Sequence, residues 1–147
     1  MLMQRTVWGT GVALALSVLR PVPPQPVRAS WELPAELAAV PVARARVRAH
    51  LEGLLNPETC SDAALVVTEL VANAVAASVA GSGFELRVEI IGGSLRIEVF
   101  DRATDTPRRR SADESDEGGR GLLLVEELTR LWGWHPVQGG KVVWAVL

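Results

Sequence analysis

Two segments of strict alternation mark the middle of the chain. Phe84-Glu85-Leu86-Arg87-Val88-Glu89-Ile90 and Leu95-Arg96-Ile97-Glu98-Val99-Phe100 each put apolar and charged residues on opposite faces, the period-two pattern of a half-buried strand. Gly92-Gly93 between them predicts a hairpin. Asp101 then falls at the end of the second strand, emerging at the sheet's edge. The run 63–79 has a different texture: Ala, Val and Leu almost throughout, with no Gly or Pro. It predicts a helix apolar nearly all round, hence buried on most sides. Glu69 and Asn73 are its conspicuous polar positions, and their spacing of four stacks them on one helical face. An unpaired buried polar group costs about 1–3 kcal/mol, so both need partners. An arginine across the core and a neighbouring loop would serve, and so would a ligand.

The remaining pattern extends this frame. Residues 27–33 predict a first strand, and 40–54 an amphipathic helix with Pro41 tolerated in its first turn. Arg44, Arg46 and Arg48 fan around that helix as a solvated face, and Gly53 with Asn56-Pro57 ends it. The Glu69 helix is expected over 57–79, stopping at Ala80-Gly81-Ser82-Gly83. Periodicity dissolves over 102–118, where Arg108-Arg109-Arg110 precede four acidic residues; a solvated loop of that length reads as a lid. Gly118-Gly119-Arg120-Gly121 runs into a helix expected to end near Trp132-Gly133. Glycines at a helix start let backbone N–H groups approach an anion, aided by the helix dipole. Segments 134–137 and 141–147 predict a closing hairpin, with Trp132, Trp134 and Trp144 in the core beneath it.

Composition narrows the picture only slightly. One domain is expected from 147 residues, 48% of them hydrophobic and 22% charged, the balance of an ordinary globular protein. A net charge of −2 gives no electrostatic basis for nucleic-acid binding. Cys60 is the single cysteine, which excludes an internal disulfide, and it reads as a small half-buried residue near a helix start. His50 and His135 lack ligand spacing for zinc. Lys141 is the lone lysine among many arginines, expected on a terminal strand. The apolar run 7–19 is shorter than a bilayer span. Its positive flank is weak for a signal peptide, and the prolines of 21–26 read better as a stiff linker. Residues 1–29 are therefore expected to be a flexible extension without stable membrane insertion, and the protein cytoplasmic.

A Glu/Asn pair on a buried helix, an Asp after a strand and a Gly-rich lid before a helix occur here in one order. That combination resembles the Bergerat-fold ATPases shared by gyrase, MutL and sensor histidine kinases. More closely, it resembles the anti-sigma-factor serine/threonine kinase branch of actinobacterial type. Glu69-Leu70-Val71-Ala72-Asn73-Ala74 is similar to that family's N-box, and Asp101 with Pro107 to its first glycine box. Gly119-Arg120-Gly121-Leu122-Leu123-Leu124-Val125 is similar to the second. Trp132-Gly133 and Gly140-Lys141-Val142-Val143-Trp144 fit the branch's ending, so the likeness covers 30–147.

The resemblance implies an α/β two-layer sandwich, a mixed, mostly antiparallel sheet with helices on one face. It implies ATP and Mg²⁺ as cofactors, with Asn73 ligating the metal through its amide oxygen. Glu69 would orient or deprotonate the attacking hydroxyl. Asp101 would accept a hydrogen bond from the adenine amino group, and Gly119, Arg120, Gly121 and Leu122 would hold the phosphates. The implied activity is phosphorylation of a small anti-anti-sigma partner, with a sigma factor as a second partner and a homodimer left open.

The chain departs from the family pattern in two places. Where the first box often reads D-x-G-x-G, Asp101 is followed by Arg102-Ala103-Thr104-Asp105; where close relatives continue the N-box with Arg/Lys-His, this chain has Ala76-Ala77. Two readings follow: a kinase, or a catalytically weak module that binds partners in an ATP-dependent way. A dinucleotide-binding reading of Gly119 and Gly121 fails because those glycines follow a hairpin rather than a first strand. A sensor histidine kinase is disfavoured because no phosphoacceptor-helix pair fits before Ser30.

Overall fold

The computed structural model describes residues 25–105 and 121–147. The signal-like run 7–19, the prolines of 21–24 and most of the expected lid lie outside them. Five strands, β1 (Val27–Pro34), β2 (Gly83–Ile91), β3 (Ser94–Asp101), β4 (Leu131–Val137) and β5 (Gly140–Val146), form one sheet in the order β1-β2-β3-β5-β4. All four pairings are antiparallel, so the sheet that the resemblance implied to be mixed and mostly antiparallel has no parallel pair among the described residues. Helices α1 (Ala39–Leu51), α2 (Pro57–Ala77) and α3 (Gly121–Leu128) pack against one another and on one sheet face, giving two layers around one core.

Helix α2 is the centre of that core. Asn56 caps its start by accepting a hydrogen bond from Thr59 N–H at 2.8 Å, Pro57 occupies the first turn, and Glu58 complements the dipole. Val66, Val67, Leu70 and Val71 are buried against Leu86, Val88, Ile97 and Val99 of the sheet's inner rows. Each such side chain contributes about 1.5–3 kcal/mol when fully buried. By length and hydropathy α2 would also pass for a membrane span, but one face of it, from Ala63 to Ala74, lines this core. Helix α1 buries Ala39, Ala43, Val47 and Leu51 at spacings of four and leaves Arg44, Arg46 and Arg48 exposed. It ends three residues earlier than the pattern suggested, because Gly53 adopts a left-handed φ of 76° that suits glycine alone. Cys60 is half-buried, its Sγ 3.6 Å from the Leu51 carbonyl.

The C-terminal hairpin differs from expectation. Trp132 and Gly133 belong to β4 rather than to a helix end. Trp132 packs on the core, whereas Trp134 is exposed and Trp144 lies on the opposite, open face of the sheet. There the Trp144 ring covers Gly133, where a Cβ would come within 2.9 Å of it, and the Arg96 guanidinium sits 5.6 Å from its centroid, within cation–π range. Along β1–β3 this face carries ion pairs: Arg28 with Glu89, Arg87 with Glu85 and Arg96 with Glu98. Arg87 holds the Glu85 carboxyl below the usual range through a bidentate hydrogen bond. That lowered value means the pair favours the fold at neutral pH, an effect lost as pH falls through it.

Two substitutions test this packing. At Gly140 a Cβ would stand 2.0 Å from the Asp101 carbonyl oxygen and 2.9 Å from Arg102 Cα, backbone that cannot step aside. Gly140→Ala should therefore lower stability by at least about 2 kcal/mol in urea unfolding. His50 meets Trp31 edge-on at 5.9 Å, and its Nε2 is buried with no hydrogen-bond partner among the described residues. His50→Phe should leave the melting temperature unchanged or raise it, since it removes an unsatisfied polar atom.

Candidate nucleotide site

The α2 stripe that carries Glu69 and Asn73 turns out to be its open side. Leu65, Asn73 and Ala76 are exposed and Glu69 and Ala72 half-buried, positions that recur at three and four residues along one face. The expectation of a helix buried on most sides therefore fails on this stripe. Composition hid it, because Leu and Ala fill places where a surface helix usually carries charge. The two polar side chains stand on an apolar, accessible strip rather than inside the core.

Glu69 meets the start of α3. Its Oε2 lies 2.2 Å from where a Cβ on Gly121 would stand, and its Cδ 3.2 Å, and Gly121 is the first residue of that helix. Only a residue without a side chain admits the carboxylate so close. A carboxylate at this end also complements the helix dipole, by about 0.3–1 kcal/mol where exposed. Two elements separated in sequence by the β2–β3 hairpin and residues 102–120 thus bring an acid and an anion-favouring helix end together. Leu122 is buried, so only its backbone is available to a ligand. Pro107, Gly119 and Arg120 lie outside the described residues.

Asp101 closes β3 with its side chain on the inner, helix-facing row. Lys141 is its direct cross-strand neighbour, and the Lys141 ammonium donates to Asp101 Oδ1 at 2.9 Å. Ala103 N–H donates to the same oxygen at 2.9 Å. The two side chains are only 4% and 2% exposed, making them the buried charged pair of the described residues. Burying two charges is costly unless their mutual attraction and further hydrogen bonds compensate, which the Ala103 bond helps to do. The lone lysine does lie on the terminal strand, as expected. Its position on Asp101 was not foreseen, because nothing local in the sequence joins residues 40 apart.

These residues fit a magnesium nucleotide on chemical grounds. Carboxylate and carboxamide oxygens are hard donors suited to Mg²⁺, the α3 end suits an anion, and the missing Cβ of Gly121 admits the Glu69 carboxylate beside that end. A groove elsewhere, on the open sheet face beside Arg28, Arg87 and Arg96, is lined by charges paired among themselves. It offers no comparable unpaired donor set.

The family model for the histidine kinase-like ATPase domain matches residues 33–147. The chain belongs to that family. Among solved structures, this ATPase domain is similar to the RsbU and RsbW domains of Rv1364c from Mycobacterium tuberculosis. The two are 23% identical with a TM-score of 0.61, over 83% of this chain and 32% of that one. It is also similar to the histidine kinase domain of the Erythrobacter litoralis EL346 blue-light activated histidine kinase. There the values are 21% identity and a TM-score of 0.49, over 78% of this chain and 61% of that one. The ATPase domain thus spans about a third of the first protein and under two thirds of the second, and the first likeness is one of fold. No curated protein matches the sequence.

The contact between Glu69 and α3 makes a specific prediction. Gly121→Ala should leave the melting temperature within a few degrees, because alanine suits a helix and the clashing atom ends a flexible side chain. It should nevertheless displace the Glu69 carboxylate and reduce any Glu69-dependent activity by about tenfold or more. Unchanged activity at unchanged stability would show that the close approach is incidental.

Proposed function

We propose that this ATPase domain is a Mg-ATP-dependent protein serine/threonine kinase of the anti-sigma type, acting on a small anti-anti-sigma partner. The observation that carries the proposal is the placement of the Glu69 carboxylate at the start of α3, one helical turn from Asn73. Mg-ATP supplies the transferable phosphoryl group and the charge neutralisation. Asn73, exposed on α2, holds the metal through its amide oxygen. Glu69 accepts the proton of the partner's hydroxyl, or orients it by hydrogen bonding. Asp101 accepts a hydrogen bond from the base, the backbone around Gly121 and Leu122 faces the phosphates, and Gly119 and Arg120 are assigned to the phosphates by their motif alone. The motif order supports this assignment, as does the fold shared with the protein that contains an RsbW domain. A sigma factor as second partner and a cytoplasmic location belong to the same reading.

A second reading has its own support. Ala76 and Ala77 put no cation beside the site, and Lys141 already engages Asp101. Both features suit a module that binds nucleotide to shape a partner surface without transferring phosphate.

Calorimetry of ATP with and without Mg²⁺ comes first. Wild type should bind in a magnesium-dependent manner, and Asn73→Ala should lose that dependence. With labelled ATP and candidate partner proteins, Glu69→Ala should bind nucleotide yet phosphorylate at least about a hundredfold more slowly. Equal phosphorylation by wild type and Glu69→Ala would remove Glu69 from the chemistry. Binding without any phosphotransfer would favour the module.

A further inference from the structure

The buried pair at the end of β3 has a property that the function proposed above does not use. Asp101 offers a carboxylate and Lys141 an ammonium side by side, both almost fully buried. Asp101 Oδ1 is already saturated by two donors, Lys141 Nζ and Ala103 N–H, so Oδ2 is the oxygen left for a ligand's amino group. Lys141 has three N–H bonds. One goes to Asp101 Oδ1, a second lies a long 3.5 Å from the Ala103 carbonyl, and no described residue takes the third. An ammonium almost entirely out of water is costly with a proton unplaced. Gly140 fixes the lysine's position, because its bare Cα lets β5 lie against the Asp101 and Arg102 backbone.

We infer that Lys141 is a second base-selecting residue, donating to the ring nitrogen of adenine next to the amino group that Asp101 accepts. The inference rests on the nucleotide reading above. Its logic is one of edges. Along its pairing edge adenine presents a donor at position 6 and an acceptor at position 1. An acceptor beside a donor, as in Asp101 and Lys141, complements that order. Guanine and hypoxanthine present the reverse, an oxygen at position 6 and an N–H at position 1, and would set oxygen against carboxylate and N–H against ammonium. Mismatched buried polar groups discriminate strongly, because neither side recovers its lost hydration. A carboxylate alone reads one of these two positions; with Lys141 the site reads both.

The test compares nucleotides on the full-length protein by direct binding. With wild type, 1-deaza-ATP, which keeps the amino group but lacks the ring acceptor, should bind at least about tenfold more weakly than ATP. Inosine triphosphate should bind more weakly still. With Lys141→Met the ratio of ATP to 1-deaza-ATP affinity should fall to near one, while ATP itself weakens. Equal binding of ATP and 1-deaza-ATP by wild type overturns the inference without recourse to any variant, which matters if Lys141→Met folds poorly. An unchanged analogue ratio in a folded Lys141→Met protein also overturns it, and would leave Lys141 as a residue that only positions Asp101. Tighter ATP binding by Lys141→Met overturns it too, by showing that the ammonium competes with the base. Failure of wild type to bind ATP at all would overturn the nucleotide reading, and this inference with it.

Discussion

The structure depends on burying one face of α2 against the inner rows of β2 and β3. Val66, Val67, Leu70 and Val71 meet Leu86, Val88, Ile97 and Val99 there, and the hydrophobic effect fixes both the sheet's register and the helix's rotation at once. A one-residue slip in β3 would send Ile97 and Val99 to the charged face and Asp101 away from Lys141. A rotation of α2 would bury Glu69 and Asn73 without partners. The core therefore aims the polar residues, although none of them contributes much to it.

Much of this was legible in the sequence because the signals were local. Alternation over 84–100 specified the hairpin and put Asp101 at its end. The Asn56-Pro57 start and the uninterrupted apolar run specified α2, and the four-residue spacing put Glu69 and Asn73 on one face. Other features depended on contacts that no local pattern encodes. Trp132-Gly133 looked like the tail of a helix because Gly133 breaks the alternation of β4; the gap is filled by Trp144 from the next strand. The exposure of Leu65 and Ala76 beside Glu69 and Asn73 is not legible, because apolar residues on a helix read as buried. Lys141 stood out as a singleton, but its partner became clear only once β3 and β5 were paired.

The candidate site is made from two kinds of contact with different tolerances. Around Gly140 backbone lies against backbone, and the Asp101–Lys141 pair is held with little room for change. Around Gly121 a side-chain carboxylate meets a helix end, and the contact can open without disturbing the sheet. The proposed base end is thus rigid and the proposed phosphate end adaptable, which suits a site whose reacting groups must reorganise around a partner's hydroxyl.

Helix α3 has eight residues, fewer than an isolated helix needs to persist in water. Its helicity must come from docking on α2, through residues such as Val125, which is fully buried. The helix end that faces Glu69 therefore has no existence apart from that docking. Lifting α3 from α2 would unwind the helix and dissolve the dipole in the same event, so that assembling the anion-facing half of the site and completing the fold are a single cooperative step.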